Sequence, residues 1–320
     1  MKRYTYGICL VLLLLAGCVF LEGIDQPTTA KAGEELTITM HNRIDVADGG
    51  RSNVRLIIGF LAPKSWAATA NSNITFTTTS YGNGKMVPVP SSVSPGSGLS
   101  WSEALKNRFG MGGNYMTDEL EWVVFWTEQA YNVPQGVKEN IDVTIVTKPG
   151  PENMQFKTGY FLGTSSEGLS DVFGSNNVYK CQFKDCFTIT DGTGDVIDFC
   201  NPQIAAVAPG MATDNDLLTI SFDPDVVPTP LNGVGNIYFC AKGYTTDGQV
   251  LENCAQTESS LLKEYTGNKS AFTFWPRAYF NMQEGQTLEK IEYFFTDASG
   301  TVKVGFSNTA NPFVYTFKCQ

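Results

Sequence analysis

The chain shows two patterns of hydrophobic and polar positions, and both are typical of β-strands. Residues 32–40 alternate apolar and polar side chains, which predicts a strand with one buried face. Residues 54–61 form a continuous apolar run, which indicates a strand buried on both faces. Further strands are predicted at residues 74–79, 121–127 and 140–146.

A long stretch rich in Gly, Pro and Ser, residues 82–113, separates two of these strands. Loops of this length inside a domain are usually functional or disordered. One helix is predicted within it, because Ser100 is a good N-cap before Trp101 and Gly110 is a stop signal.

The second half of the chain repeats the pattern of a Pro/Gly segment leading into an alternating strand. Pro209-Gly210 precedes residues 216–222, and later strands are predicted at 237–241, 271–275 and 291–295. Turn signals occur at 246–248 and 297–300, and a short helix is predicted at 258–265. The fold class is therefore all-β: two immunoglobulin-like antiparallel β-sandwich domains with long loops and short connecting helices, spanning residues 28–199 and 200–320.

The N-terminus has the pattern of a signal peptide. Lys2 and Arg3 precede an apolar run at residues 7–16, which is shorter than the roughly 20 residues that span a bilayer. The following Leu15-Ala16-Gly17-Cys18 resembles the lipobox of bacterial lipoproteins. That resemblance implies removal of residues 1–17, lipidation of Cys18 and a tether at 18–27. The alternative is an ordinary secretory signal with an incidental cysteine.

Val19 and Phe20 stand where an aspartate would act as an inner-membrane retention signal, so we expect an outer-membrane lipoprotein. The acidic cluster that marks surface export in many Bacteroides-type lipoproteins is missing, so these residues leave the leaflet open, and the cell surface is our expectation. Loss of Lys2 and Arg3 with the signal peptide takes the formal charge from −10 to −12, which disfavours nucleic acid as a partner. Aromatic residues make up 12% of the chain and charged residues 17%, a balance that favours aromatic contact surfaces.

Six cysteines lie in the second half of the chain: Cys181, Cys186, Cys200, Cys240, Cys254 and Cys319. An even number in an exported protein predicts disulfides, and six cysteines allow 15 pairings. We expect Cys181–Cys186, Cys240–Cys254 across a hairpin, and Cys200–Cys319. A zinc site is disfavoured because the chain has no C-x-x-C and a single histidine.

Catalytic and metal-binding patterns are weak. His41 is predicted to be a structural polar residue, and the chain contains neither Gly-x-Ser-x-Gly nor His-Glu-x-x-His. The acidic group Asp214, Asp216, Asp223 and Asp225 is predicted to be a solvated loop rim, with a calcium site as the alternative. We therefore expect no enzyme, no metal and no cofactor.

Aromatic side chains are the best candidates for ligand binding, since they stack on the apolar faces of sugar rings. Strand alternation places Phe272 and Phe274 on a core face and directs Trp275 outwards, close to Arg277 and Tyr279. The alternative is a Trp covered by a neighbouring loop. Trp66 and Trp101 are further candidates, each of which can instead anchor a loop.

Several short segments resemble a known family. Residues 61–66, 84–86, 112–114 and 121–123 resemble Bacteroidetes lipoproteins found beside Sus-type (SusC/SusD-like) TonB-dependent importers. Residues 209–222, 237–243 and 291–300 are similar to immunoglobulin-like modules of starch-binding accessory lipoproteins. The resemblance implies an accessory of the transporter complex that captures oligosaccharide. The alternatives are an oligopeptide-binding accessory and a structural lipoprotein without a ligand.

Overall fold

The computed structural model describes residues 18–47, 49–96, 98–171 and 178–318, and these form a nearly all-β protein. The chain divides into two compact units, the first ending at Cys200 and the second beginning at Asn201. Each unit has its own hydrophobic core.

The described part of the first unit is built from short and long strands with short helices between them. Its strands are β1 (Cys18–Asp25), β2 (Thr29–Lys31), β3 (Leu36–Asp45), β4 (Arg51–Val54), β5 (Leu56–Pro63), β6 (Asn73–Thr78), β7 (Gly84–Pro88), β8 (Leu120–Thr127), β9 (Tyr131–Val133), β10 (Lys138–Thr147), β11 (Glu152–Thr164), β12 (Lys180–Thr190) and β13 (Thr193–Asp198). The helices are α1 (Ala68–Asn71) and α2 (Trp101–Phe109), and 3-10 turns lie at Lys64–Trp66 and Thr117–Glu119.

Most of these strands belong to one sheet in the order β1-β3-β10-β6-β7-β8-β5-β11-β12-β2, with β13 beside β11 and a separate pair β4-β9. The sheet folds back on itself, because edge strand β1 also contacts β11 and β12 near the opposite end. The Gln26 side chain, just after β1, accepts hydrogen bonds from the hydroxyls of Thr158 and Tyr160 on β11. A single core therefore lies between the two halves of the folded sheet.

The burial of β3 and β5 follows from their sequences. In β3, Leu36, Ile38 and Met40 face the core and alternate with more exposed residues. Every residue of β5 is buried, as its continuous apolar run predicts, because β5 lies between β8 and β11 in the middle of the sheet.

The predicted tether at residues 18–27 is wrong, since most of it forms β1. Residues 18–25 pair antiparallel with β3, and a register shift occurs between Leu21 and Gly23. Val19 is buried and Leu21 and Ile24 pack against the core, so the inward positions change from odd to even across the irregularity. This shift hides the strand pattern in the sequence.

Helix α2 forms inside the long Gly/Pro-rich stretch, as its cap predicts. The Ser100 hydroxyl accepts a hydrogen bond from the Glu103 N–H, and the Glu103 carboxylate accepts one from the Ser100 N–H. This capping box satisfies two N-terminal donors. Trp101, Ala104 and Leu105 are buried, so the helix holds the stretch against the first core.

The second unit contains β14 (Ala205–Ala208), β15 (Leu218–Phe222), β16 (Tyr238–Thr245), β17 (Val250–Asn253), β18 (Lys263–Thr266), β19 (Lys269–Phe274), helix α3 (Pro276–Tyr279), β20 (Leu288–Thr296), β21 (Lys303–Val304), a 3-10 turn at Phe306–Asn308, and β22 (Phe313–Thr316). One sheet has the order β14-β15-β19-β18, and the other has β17-β16-β20-β21 with β22 also on β20. When the strands are lettered in chain order, β14 is A, β15 is B, β16 is C, β17 is C′, β18 is D, β19 is E, β20 is F and β21 is G. The two sheets are then A-B-E-D and C′-C-F-G, which is the immunoglobulin arrangement.

Both predicted hairpin turns connect paired strands: residues 246–248 join β16 to β17, and residues 297–300 join β20 to β21. The predicted helix at 258–265 is wrong. A turn held by the Ser260 hydroxyl occupies its start, and its end belongs to β18, which pairs with β19.

The disulfides differ in part from the expected pairing. Cys240–Cys254 is present across the β16–β17 hairpin, as predicted. Cys186 pairs with Cys200, so Cys181–Cys186 and Cys200–Cys319 are both wrong. The fold brings the middle of β12 beside the residues that follow β13, which sequence spacing does not reveal. Cys181 forms no disulfide with a described residue, and Cys319 lies outside the described residues.

Cys18 is the first described residue, and the signal segment at 1–17 lies outside the described part of the chain. Among the helices that the structure describes, none is long and apolar enough to cross a membrane.

Candidate ligand-binding site

Trp275 lies on the surface of the second unit, on the side that strand alternation predicts. Ser270, Phe272 and Phe274 of β19 are buried, whereas Thr273 and Trp275 are exposed. The Trp275 side chain keeps 45% of its surface exposed. An exposed Trp of this size offers one apolar ring face to a ligand.

Trp275 borders an open groove of about 660 Å³ along β18 and β19, whose lining also includes the core side chains Phe272 and Phe274. Tyr265 lies on the same groove and is 59% exposed. Polar side chains lie around the two rings: Glu258, Ser259, Lys263, Glu264 and Thr273. The groove thus combines exposed aromatic rings with hydroxyl, ammonium and carboxylate groups.

The two rings are far apart along the strands. Lys263 pairs with Ala271 and Thr266 with Lys269, so Tyr265 lies near the level of Lys269. Trp275 is between five and six residues further along, which at about 3.3 Å per residue corresponds to roughly 18 Å. A single sugar ring does not span that distance, but an extended oligomer does.

Sequence reasoning missed Tyr265 because it assigned residues 258–265 to a helix. Thr266-Gly267-Asn268-Lys269 carries a Gly-Asn pair between two short polar-apolar runs, which is a hairpin signal. Gly267 adopts a positive φ of 54°, as such a turn requires. Given the hairpin, Tyr265 falls on an edge strand beside β19.

Arg277 is not available for a ligand, which corrects the prediction. Its guanidinium forms an ion pair with Asp214 at 3.1 Å and donates to the carbonyls of Gln283 and Gln286. The Asp214 side chain is fully buried and also accepts from the Leu288 N–H at 3.0 Å. Arg277 therefore neutralises a buried carboxylate, and Asp214 does not belong to a solvated rim.

Tyr279 lines the same groove but is mostly buried in the core. Its ring is 8% exposed, and its hydroxyl donates to the carbonyls of Phe239 and Asn253. Burial raises the pKa of its phenol. Helix α3 begins at Pro276, directly after Trp275, so the strand alternation that exposes Trp275 does not extend to Tyr279.

Trp66 and Trp101 are both buried in the first unit, at 3% exposure each. Trp66 packs edge to face on Phe156, and Trp101 packs on Phe161 with their ring centroids 5.8 Å apart. Both side chains anchor connections to the core, and neither has an exposed ring face for a ligand.

His41 joins three strands on the outer face of the first unit. Its Nε2 lies 3.0 Å from Asp25 Oδ2 and its Nδ1 lies 2.8 Å from Asp142 Oδ1. Hydrogen bonds to Asp25 and then Asp142 raise the pKa of this imidazole, whose side chain is 40% exposed. The His41 side chain therefore links β1 and β10 through its hydrogen bonds to the two aspartates.

The acidic residues of the second unit are dispersed. Asp223 pairs with Lys269 at 2.9 Å, Asp225 accepts from the Asn268 amide, and Asp216 accepts from Thr213. Within the described residues, no group of three or more His, Cys, Asp or Glu side chains is placed to hold a metal ion.

Fold and groove together define an all-β protein with two units, the second of which carries an exposed aromatic groove. The chain belongs to the family described as "Domain of unknown function (DUF4961)", whose model matches residues 19–203. A second model, "Domain of unknown function (DUF8578)", matches residues 205–304. No curated protein matches the sequence.

Solved structures show only distant similarity. The C-terminal domain of the Streptococcus pyogenes antigen I/II-family protein AspA is 8% identical, with 95% of this chain and 98% of that chain covered and a TM-score of 0.25. The group B streptococcus pilus 2b backbone protein is 11% identical, with 92% and 88% covered and a TM-score of 0.23. These TM-scores are too low to carry an argument about fold or function.

Proposed function

We propose that this protein is an outer-membrane lipoprotein that binds oligosaccharide as an accessory of a Sus-type TonB-dependent uptake system. The observation that carries the binding role is the pair of exposed rings, Trp275 and Tyr265, on one groove of the second unit. Exposed aromatic rings that share one groove with polar side chains are typical of ligand-binding surfaces.

The groove suits a linear glycan better than a compact ligand. The C–H faces of sugar rings stack on Trp275 and Tyr265, and the roughly 18 Å between them accommodates an extended chain. Hydroxyls of the glycan hydrogen-bond to Ser259, Thr273 and Lys263 along the groove. These residues take the role first expected of Arg277.

The localisation rests on the sequence around Cys18. Acylation of Cys18 would place two or more lipid chains at the start of β1, and stable anchoring requires more than one chain. Since β1 begins at Cys18, the first unit would lie directly against the outer membrane without a flexible spacer. On the cell surface this position suits association with a SusC/SusD-like transporter complex.

A specific observation favours the oligopeptide alternative. Strand β18 pairs only with β19 among the described residues, and all four of its residues are exposed. An extended peptide can add to such an edge through main-chain hydrogen bonds. The first measurement is therefore whether the protein binds an oligosaccharide or an oligopeptide.

Calorimetry of the folded protein against a panel of neutral oligosaccharides and peptides tests the proposal. We expect a glycan to bind, and Trp275→Ala to weaken it by about 1–3 kcal/mol, which is roughly 5- to 150-fold. Phe306→Ala is the matched control, since Phe306 is 38% exposed in the same unit but does not line the groove.

Thermal melts of both variants accompany the titrations, because loss of a core ring lowers stability by about 3–5 kcal/mol. The proposal fails if no glycan binds, or if Trp275→Ala and Phe306→Ala bind as the unaltered protein does. Peptide binding that is lost on Trp275→Ala, with no glycan bound, would move the function to the oligopeptide alternative.

A further inference from the structure

A small cavity lies at one end of the core of the first unit. Its volume is about 50 Å³ and its walls are almost entirely apolar, formed by Ile44, Leu56, Phe76 and Tyr131 among others. Ile44 and Tyr131 are half-buried, so the cavity reaches the surface. One water needs roughly 10–15 Å³ of such space, so the cavity holds a few heavy atoms.

One carboxylate lines this cavity. Glu139 is on the inward face of β10, beside Ile141, and is 4% exposed. Its Oε1 accepts a hydrogen bond from the Ser80 N–H at 2.7 Å. No described Lys, Arg or His forms an ion pair with it, and no described donor meets its second oxygen.

A buried carboxylate without a cation is uncommon. Removing a charge from water is costly unless the charge is paired and hydrogen-bonded. The single backbone donor from Ser80 satisfies one of several acceptor positions on the Glu139 side chain. The apolar walls offer it no other compensation.

A second polar group in the cavity also lacks a partner. Thr127 lines the cavity, is 2% exposed, and its hydroxyl forms no hydrogen bond within the described part of the chain. That oxygen is enclosed and presents no surface to the cavity, so Thr127 adds only to its apolar wall. Glu139 therefore supplies the negative charge of an otherwise apolar environment.

We propose that this cavity binds a primary alkylammonium group. An –NH₃⁺ is a cation with hydrogen-bond donors and no acceptor, which matches the carboxylate of Glu139, for which no described cation forms an ion pair. The methylene groups behind it pack on Ile44 and Leu56, and the Tyr131 ring offers a face to the cation. Such groups occur on lysine side chains and on free polyamines.

This site is independent of the oligosaccharide groove, because the two lie in different units and share no residue. Failure of one therefore leaves the other unaffected. The volume excludes a sugar ring from the cavity, so a glycan that binds the groove cannot account for occupancy here.

The test compares n-butylammonium with n-butanol, which has the same chain and no charge, by calorimetry on the full folded protein. We expect n-butylammonium to bind at least about tenfold more tightly. Glu139→Gln should weaken it by about tenfold or more, since the amide retains an acceptor for Ser80 but loses the charge.

Glu128→Gln is the matched control, because Glu128 is exposed on the residue after β8 and does not line the cavity. It should leave n-butylammonium binding unchanged. Equal binding of the two probes, absence of n-butylammonium binding, or unchanged binding by a folded Glu139→Gln protein would overturn the proposal.

Two further arms identify the natural source of the ammonium group. An N-acetylated Ala-Lys-Ala peptide presents a lysine side chain, and 1,5-diaminopentane presents a free polyamine. Preference for the peptide assigns the cavity to a lysine side chain, and preference for the diamine assigns it to polyamines. The probe comparison on unaltered protein needs no variant, so the proposal remains testable even if Glu139→Gln fails to fold.

Discussion

Replacement of Arg277 by Ala tests whether this residue stabilises the second unit or contacts a ligand. The change removes a guanidinium that pairs with the fully buried Asp214 carboxylate and also donates to two backbone carbonyls. Loss of one partner from a buried pair costs about 3–5 kcal/mol. Because Arg277 is 20% exposed, water reaches the site and we expect about 3 kcal/mol.

The assay is calorimetric melting of the full chain. For a unit of this size, 1 kcal/mol corresponds to roughly 3–6 °C, so the transition of the second unit should fall by about 10–20 °C. Arg277→Met, which keeps much of the side-chain volume, should lower the transition temperature of the second unit by a similar amount. The double variant Asp214→Asn/Arg277→Met should recover part of the loss, because no unpaired charge remains.

Lys242→Ala is the matched control, since it removes an exposed pair with Glu252 at 3.5 Å in the same unit. Its effect should be below about 1 kcal/mol. A loss below about 1 kcal/mol for Arg277→Ala, combined with weaker ligand binding, would refute the structural role and return Arg277 to the binding site.

Three further predictions concern the first unit and its anchor. Cys18→Ala should move the folded protein from the membrane to the soluble fraction, and retention in the membrane would contradict lipidation. Replacing Cys186 and Cys200 by Ser should lower the free energy of unfolding of the first unit by about 3 kcal/mol, as expected for a closed loop of about 15 residues. An unchanged free energy of unfolding in denaturant titrations would contradict this prediction. In NMR, the imidazole of His41, the single histidine of the chain, should titrate with a pKa above its ordinary value. Its contribution to stability is complete below the ordinary pKa and is lost as pH rises through the pKa of the folded protein. Asp142→Asn should lower the pKa of His41 in the folded protein.

Local sequence patterns determined several features without tertiary information. Alternation within residues 270–275 predicts both the strand β19 and the outward direction of Trp275, because a strand side chain can face only one of two sides. Ser100 and Glu103 predict the start of α2, since a capping box is formed by neighbours in sequence. The Cys240–Cys254 disulfide likewise follows from a hairpin that its own turn specifies.

The remaining features depend on which distant segments meet. Arg277 is committed to Asp214, a residue 63 positions away, so no local pattern reveals that its charge is already used. Cys186 meets Cys200 because β12 and β13 both pair with β11. The strand at Cys18 is concealed by its register shift against β3.

The sequence by itself determined the all-β class, the strands with clear alternation, and the exposed position of Trp275, because each depends on side-chain periodicity over a few residues. Only the tertiary structure decided that Tyr265 shares a groove with Trp275, that Trp66 and Trp101 are buried, and that Glu139 lines a cavity without a cation. The physical reason is that burial and pairing are properties of the packed chain: a side chain's neighbours come mostly from other strands, and its own sequence context does not specify them.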